Sequence, residues 1–192
     1  MSAQYKVELI APDISAYKHG NTGIDFVHTF DSGKAGPHVM INAVIHGNEI
    51  CGAITLDLFL KQELRPLIGK LTLCFVNPAA YATFDPERPG ASRFVDEDMN
   101  RVWTEEQLDG PEQSVELNRA RALRPFYDSV DYLLDIHSMG TLSAPIMLCH
   151  GLDKERQLCR QMRYPRTVAC GSGHVIGRRL IEYTPFNDQN NH

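Results

Sequence analysis

None of the five cysteines in this chain (Cys51, Cys74, Cys149, Cys159 and Cys170) stands in a CxxC pair, and their number is odd. Cys51, Cys74 and Cys149 fall in apolar runs. The pattern argues against a disulfide framework or a cysteine zinc site and predicts reduced, mostly buried thiols in a cytoplasmic protein. Basic runs and Lys/Arg-rich helices are missing and the net charge is −5, so nucleic acid is not an expected partner. No apolar stretch reaches the roughly 18 residues needed to span a bilayer. The opening MSAQYKVELI has no basic segment leading into a long apolar run, so neither a membrane anchor nor a signal peptide is expected. Neither GxSxG nor GxxxxGK[ST] occurs, which removes the common serine-hydrolase and P-loop readings. The glycines of GSGHVIG (171–177) are wrongly spaced for a dinucleotide fingerprint and read as a turn. There is no internal repeat and no low-complexity segment.

What is present is an ordinary globular composition, 43% hydrophobic and 22% charged over 192 residues, which suits one domain with its own core. GIDFVHTF (23–30), HVMINAVI (38–45), KLTLCFVNP (70–78), VDYLLDIHS (130–138) and APIMLCHG (144–151) read as strands, several of the fully buried type. HVIGRRLIEY (174–183) reads as a last strand or pair of strands. A helix capped by Asn48 is expected through about Leu64, ended by Pro66 and Gly69. Further helices are expected over PEQSVELNRARALRPFYDSV (111–130) and DKERQLCRQM (153–162). Residues 82–111 carry proline, glycine and charge with little periodicity and read as a long loop of the kind that is usually functional or disordered. Strands alternating with helices predict an α/β fold whose sheet carries helices on both faces, with the ligand crevice at the carboxyl ends of the strands.

The chemistry-bearing residues gather at those ends. His46 follows INAVI and His137 follows DYLLDI. Glu49, three residues after His46, can turn back from the first turn of a helix, with Gly47 allowing a tight turn between them. Two imidazoles and a carboxylate form a ligand set of catalytic zinc, as in carboxypeptidase A, with the fourth position left to water. Singly, each part has a plainer reading: a strand-end histidine is commonly structural, and HxxE arises by chance. Asp135, two residues before His137, faces the same way and reads either as a partner of that histidine or as a buried structural acid. In the long loop, SRFVDEDMNRVW (92–103) holds Arg93, Asn100 and Arg101. An arginine fork with a neighbouring amide can grip a carboxylate, and an arginine beside a metal can stabilise an oxyanion. Asp96, Glu97 and Asp98 between the arginines also allow a solvated, charge-balanced loop.

In this order and at these separations, HGNE, SRFVDEDMNR and DIHS resemble the succinylglutamate desuccinylase/aspartoacylase family, which belongs with the zinc carboxypeptidases. The resemblance is good over roughly residues 38–140 and looser elsewhere. It implies a mixed β-sheet flanked by helices on both faces. By motif match, His46, Glu49 and His137 would bind zinc and Arg93 would touch the scissile carbonyl. Asn100 and Arg101 would hold the substrate carboxylate, and Asp98 would orient its neighbours. The activity implied is hydrolysis of the amide of a small N-acyl amino acid. A carboxypeptidase acting on peptides, or a non-catalytic metal-binding domain that recognises small carboxylates, would use the same residues.

The resemblance also implies a glutamate base on a strand well after the last zinc ligand. Glu182, the last glutamate, is read as preceding that stretch. The base is expected beyond His192, and residues 1–192 are read as one catalytic domain incomplete at its C-terminal end. A sheet lacking that strand would leave an open edge, so a homo-oligomer, or completion by further residues, is expected.

Overall fold

The computed structural model describes residues 7–171 and 177–187. Its main sheet contains β1 (Val27–Asp31), β2 (His38–Ala43), β3 (Lys70–Phe75) and β4 (Tyr132–Ile136) in the order β1-β3-β2-β4. β2 is parallel to both neighbours, with Ala43 level with Phe75 on one side and Ile136 on the other. β1 is antiparallel to β3 at the far edge. The sheet is thus mixed, and β2, β3 and β4 all point their carboxyl ends the same way.

Alternation along the strands sorts the core into two layers. Val39, Ile41 and Ala43, with Leu71, Leu73 and Phe75, pack under α1 (Ile50–Lys61) against Ile50, Ala53 and Leu56. Between β3 and β4 come α2 (Pro78–Tyr81), α3 (Glu105–Asp109) and α4 (Val115–Tyr127). Val27, Met40 and Cys74 look the other way, under Leu117, Ala120, Leu123 and Tyr127 of α4. These three- and four-residue spacings give each helix one apolar stripe, and each fully buried leucine contributes about 1.5–3 kcal/mol. Helices therefore cover both faces, as expected.

Several local expectations change. The helix expected from Asn48 to about Leu64 runs from Ile50 to Lys61, with Glu49 at the cap position making no side-chain cap. Segment 82–111 is not featureless: it holds 3₁₀ turns at Pro89–Ser92 and Met99–Arg101, followed by α3. Local caps start the second turn and α3. The Asp98 side chain accepts from Asn100 N and that of Thr104 from Gln107 N. The strand expected over 144–151 is β5 (Ile146–Cys149), but it stays out of the main sheet. It pairs in parallel with β6 (Thr167–Cys170), a strand not foreseen, across α5 (Asp153–Met162).

Of the strand expected over 174–183, residues 174–176 lie outside the described residues, as does most of the turn expected at 171–177. From Gly177 onward the chain makes one bridge, Arg178 to Val102, then a 3₁₀ turn at Leu180–Glu182 and the short α6 (Thr184–Asn187). The backbone of Arg178 exchanges bonds with Arg101 and Trp103, so this segment rests on the 99–103 loop and not on a sheet.

Candidate metal centre

The turn after β2 is built on strain and contact. Val44 is fully buried and sits at φ 55°, in the left-handed region. For a β-branched residue this costs on the order of 1–3 kcal/mol and persists only where neighbours enforce it. Here Val76 N donates to Ala43 O at 2.8 Å and Asn77 N to Val44 O at 3.1 Å. Gly47 sits in the tight turn expected between His46 and Glu49, closed by Glu49 N donating to His46 O at 3.1 Å, and it has a second part. A Cβ there would lie 2.4 Å from Ala80 C and 2.5 Å from both Ser92 O and Tyr81 N. Glycine is needed there for close approach of three backbones, and the left-handed Val44 bends the chain just ahead of the turn.

β2 and β4 are neighbours in parallel register, so His46 and His137, just past their ends, meet. Their ring centroids are 5.3 Å apart. Glu49 lies between them: Oε1 is 2.8 Å from His46 Nδ1 and Oε2 is 2.9 Å from His137 Nδ1. Ser138 N also donates to Oε2 at 3.0 Å. One ligand atom from each residue falls within 4.8 Å of the others, and among the described residues this is the one such group of three or more metal-ligating side chains. His46 and Glu49 are buried, whereas the His137 side chain keeps 31% of its exposure and opens the site to solvent.

The outer nitrogens settle whether the set fits a metal. Asp98 Oδ1 lies 2.9 Å from His46 Nε2, and Asp135 Oδ2 lies 2.8 Å from His137 Nε2. With a carboxylate accepting from each Nε2–H, the second ring proton lies on Nδ1, where each ring donates to Glu49, and its loss leaves the Nδ1 lone pair that a metal needs. Arg93 Nη2 also approaches His46 Nε2 at 2.9 Å, but that nitrogen cannot donate to Asp98 and accept from Arg93 together. Asp98 is the stronger acceptor and takes Arg93 Nη2 through its other oxygen at 3.2 Å, so the Nε2–H form is favoured. Tetrahedral zinc with bonds of about 2.1 Å wants donors about 3.4 Å apart, between the 2.8 Å of the Glu49–His46 contact and the 4.8 Å that bounds the set, so small shifts would suffice.

Burial alone would raise the Glu49 carboxyl, but hydrogen bonds from His137 and His46 outweigh it and pull its pKa down to about 2. Burial opposes the charged form of His137 too, yet Asp135 and Glu49 push it up to about 11. Against the same opposition, Asp98 and Glu49 hold His46 above its usual value, and His46 and Arg93 hold Asp98 well below the usual carboxylate range.

The loop residues divide. Arg93 joins the cluster, with Nη1 3.5 Å from Glu49 Oε1 and its fork on Asp98. Asp98 acts on His46 as well as capping Asn100, which is more than the expected role in its own loop. Asn100 uses Oδ1 to accept from Leu180 N at 2.9 Å, and Arg101 donates to the carbonyl of Asn100 at 2.6 Å. Neither makes a hydrogen bond to His46, Glu49 or His137 among the described residues. Of the three acids, Asp96 accepts from Val115 N and Glu97 from Ser114 Oγ, both at the start of α4. Glu182 is bound by Arg179, through its backbone N–H and its guanidinium. A residue missed from sequence is Glu116, fully buried beneath this loop.

A mixed α/β sheet of this kind, with two histidines and a glutamate at its carboxyl edge, has the fold of the zinc carboxypeptidase class. Residues 35–188 match the model of the succinylglutamate desuccinylase/aspartoacylase catalytic domain, and the chain belongs to that family. A protein of Parasynechococcus marenigrum described as "Probable aspartoacylase" is 32% identical over 120 residues, covering 59% of this chain and 37% of that one. Among solved structures, murine aminoacylase 3 superposes with a TM-score of 0.59 at 22% identity, over 76% of this chain and 52% of its own. The succinylglutamate desuccinylase of Chromobacterium violaceum gives 0.63 at 17%, over 88% and 55%. That of Vibrio cholerae gives 0.65 at 16%, over 86% and 52%. The chain spans about half the length of these solved relatives.

Proposed function

We propose that this chain carries the metal-binding part of a zinc-dependent hydrolase that cleaves the linear amide of a small N-acyl amino acid. The observation that carries it is the convergence of His46, Glu49 and His137, each histidine turned Nδ1-inward by an acid on its outer nitrogen. Zinc held there would supply a Lewis acid for the carbonyl and lower the pKa of water towards about 7. Arg93, braced on Asp98 beside His46, would donate to the carbonyl oxygen as negative charge grows on it. Asn100 and Arg101 would hold the substrate carboxylate. The amide oxygen of Asn100 is committed to Leu180 N, which leaves its NH₂ group as the donor for that role, and no ion pair among the described residues engages Arg101. Glu49, Asp98 and Asp135 are each committed to a histidine, so none of them is assigned as general base.

That commitment also favours a second reading, a metal-binding domain that recognises small carboxylates without turning them over. No helix among the described residues is long and apolar enough to cross a membrane. The free cysteines among them support a cytoplasmic setting. The test is release of free amine from N-acetyl- and N-succinyl-amino acids by the zinc-loaded protein, with Glu49→Gln as control. Release that depends on Glu49 supports the hydrolase. Stoichiometric zinc and ligand binding without release supports the second reading, and no zinc binding overturns both.

A further inference from the structure

Glu116 takes no part in the chemistry above, yet it is fully buried in the first turn of α4. Burying a carboxylate is costly unless donors surround it. Four N–H groups do so. Oε1 accepts from Asn77 Nδ2 at 3.0 Å and Val95 N at 2.7 Å, and Oε2 accepts from Asp96 N at 3.0 Å and Glu97 N at 3.3 Å. The amino end of α4 adds its favourable dipole. Bonds also run the other way, since Asp96 accepts from Val115 N and Glu97 from the Ser114 hydroxyl. Three successive loop amides aimed at one carboxylate fix the register of the loop as well as its path.

That register has a target. On one flank of the gathered amides, the carbonyl of Arg93 accepts from Gly47 N at 3.1 Å; on the other, Asp98 meets His46 Nε2. A slip of one residue would carry Asp98 off the imidazole. We infer that Glu116 is a positioning residue: by gathering the amides of Val95, Asp96 and Glu97 it sets Asp98 against His46, and so orients a metal-ligating imidazole from a helix that supplies no ligand. The inference rests on the zinc-site reading above.

The experiment is a cobalt(II) titration of the purified protein with thermal melts in parallel. Glu116→Gln turns an NH₂ group towards donors that need an acceptor. Its cobalt affinity is expected to fall about tenfold or more, as for other partners of metal-bound histidines. Asp98→Asn should fall comparably, and the double variant no further than the weaker single, because both changes break one chain of contacts. A Glu116→Gln protein that melts early yet binds cobalt like the wild type, or losses that add, would overturn the inference and leave the zinc reading standing. If Glu116→Gln does not fold, Asp96→Ala on the exposed side of the loop decides: weaker cobalt binding supports the inference, and unchanged binding sinks it. A wild type that takes up no cobalt refutes the zinc reading itself.

Discussion

Asp135 Oδ2 stands 2.8 Å from Nε2 of His137, two residues further along the same chain, and faces it from the end of β4. The pairing fixes which nitrogen the ring turns towards Glu49. Asp135→Asn keeps the shape and can present an N–H to the ring where an acceptor is needed. Zinc affinity should drop about 10–100-fold, measured by competition with a chromogenic chelator, with little change in melting temperature. Unchanged affinity would show that β4 alone orients the ring.

Arg93 and Arg101 should separate by what they lose. Arg101→Ala is expected to weaken binding of an N-acyl amino acid to the zinc-loaded protein about tenfold or more, without altering zinc affinity. Arg93→Ala should leave substrate binding closer to wild type and reduce turnover by about 10²–10³-fold. Calorimetry and amine release tell the two apart. Equal loss of zinc and substrate in Arg101→Ala would make that residue structural.

The metal-stripped protein should show a pH window. Glu49, lowered from 4.5 to about 2, contributes stability that is complete above its unfolded value and is lost as pH falls towards 2. His137, raised from 6.5 to about 11, contributes stability that is complete below 6.5 and is lost as pH rises through about 11. Both are therefore in full force between pH 4.5 and 6.5. The difference in melting temperature between wild type and His137→Gln should be largest there and shrink at alkaline pH. Zinc uptake near neutrality should also expel a proton from His137, seen as calorimetric heats that change with the ionisation enthalpy of the buffer.

Gly47→Ala tests the close approach. Its Cβ would fall within 2.5 Å of backbone atoms on two other segments, which cannot give as a side-chain tip could. A loss of about 1–3 kcal/mol or more is expected from the urea midpoint, together with weakened zinc binding, since His46 and Glu49 flank the shift. A neutral substitution would mean that α2 and the 92–93 segment are free to retreat.

The meeting of His46 and His137 was legible because a buried parallel strand advertises its own end. INAVI and DYLLDI stop where His46 and His137 begin, and neighbouring parallel strands must place such residues together. Glu116 was not legible, because a glutamate in the first turn of an amphipathic helix ordinarily faces water. Only the loop above it, whose amides need acceptors, draws it inward. The caps in the 82–111 segment could have been read, since Thr104 and Gln107 have capping-box spacing and Asp98 precedes a turn; overall aperiodicity masked these short signals. The strand β6 is exposed at all four positions, so no alternation marked it. The left-handed Val44 runs against the preferences of its residue type and shows only in three dimensions.

Gly47 gives the site a limited portability. The four residues HGNE suggest a cassette that could be moved to the end of any strand, but the glycine lies against Ala80, Tyr81 and Ser92 with no room for a methyl group. Its amide is also spent on the carbonyl of Arg93. Grafting His46 and Glu49 onto another scaffold would therefore transfer two side chains without the mould that holds their spacing. The smallest piece that would travel intact includes β2, the turn, α2 and the 92–98 segment, and that segment needs the start of α4 beneath it.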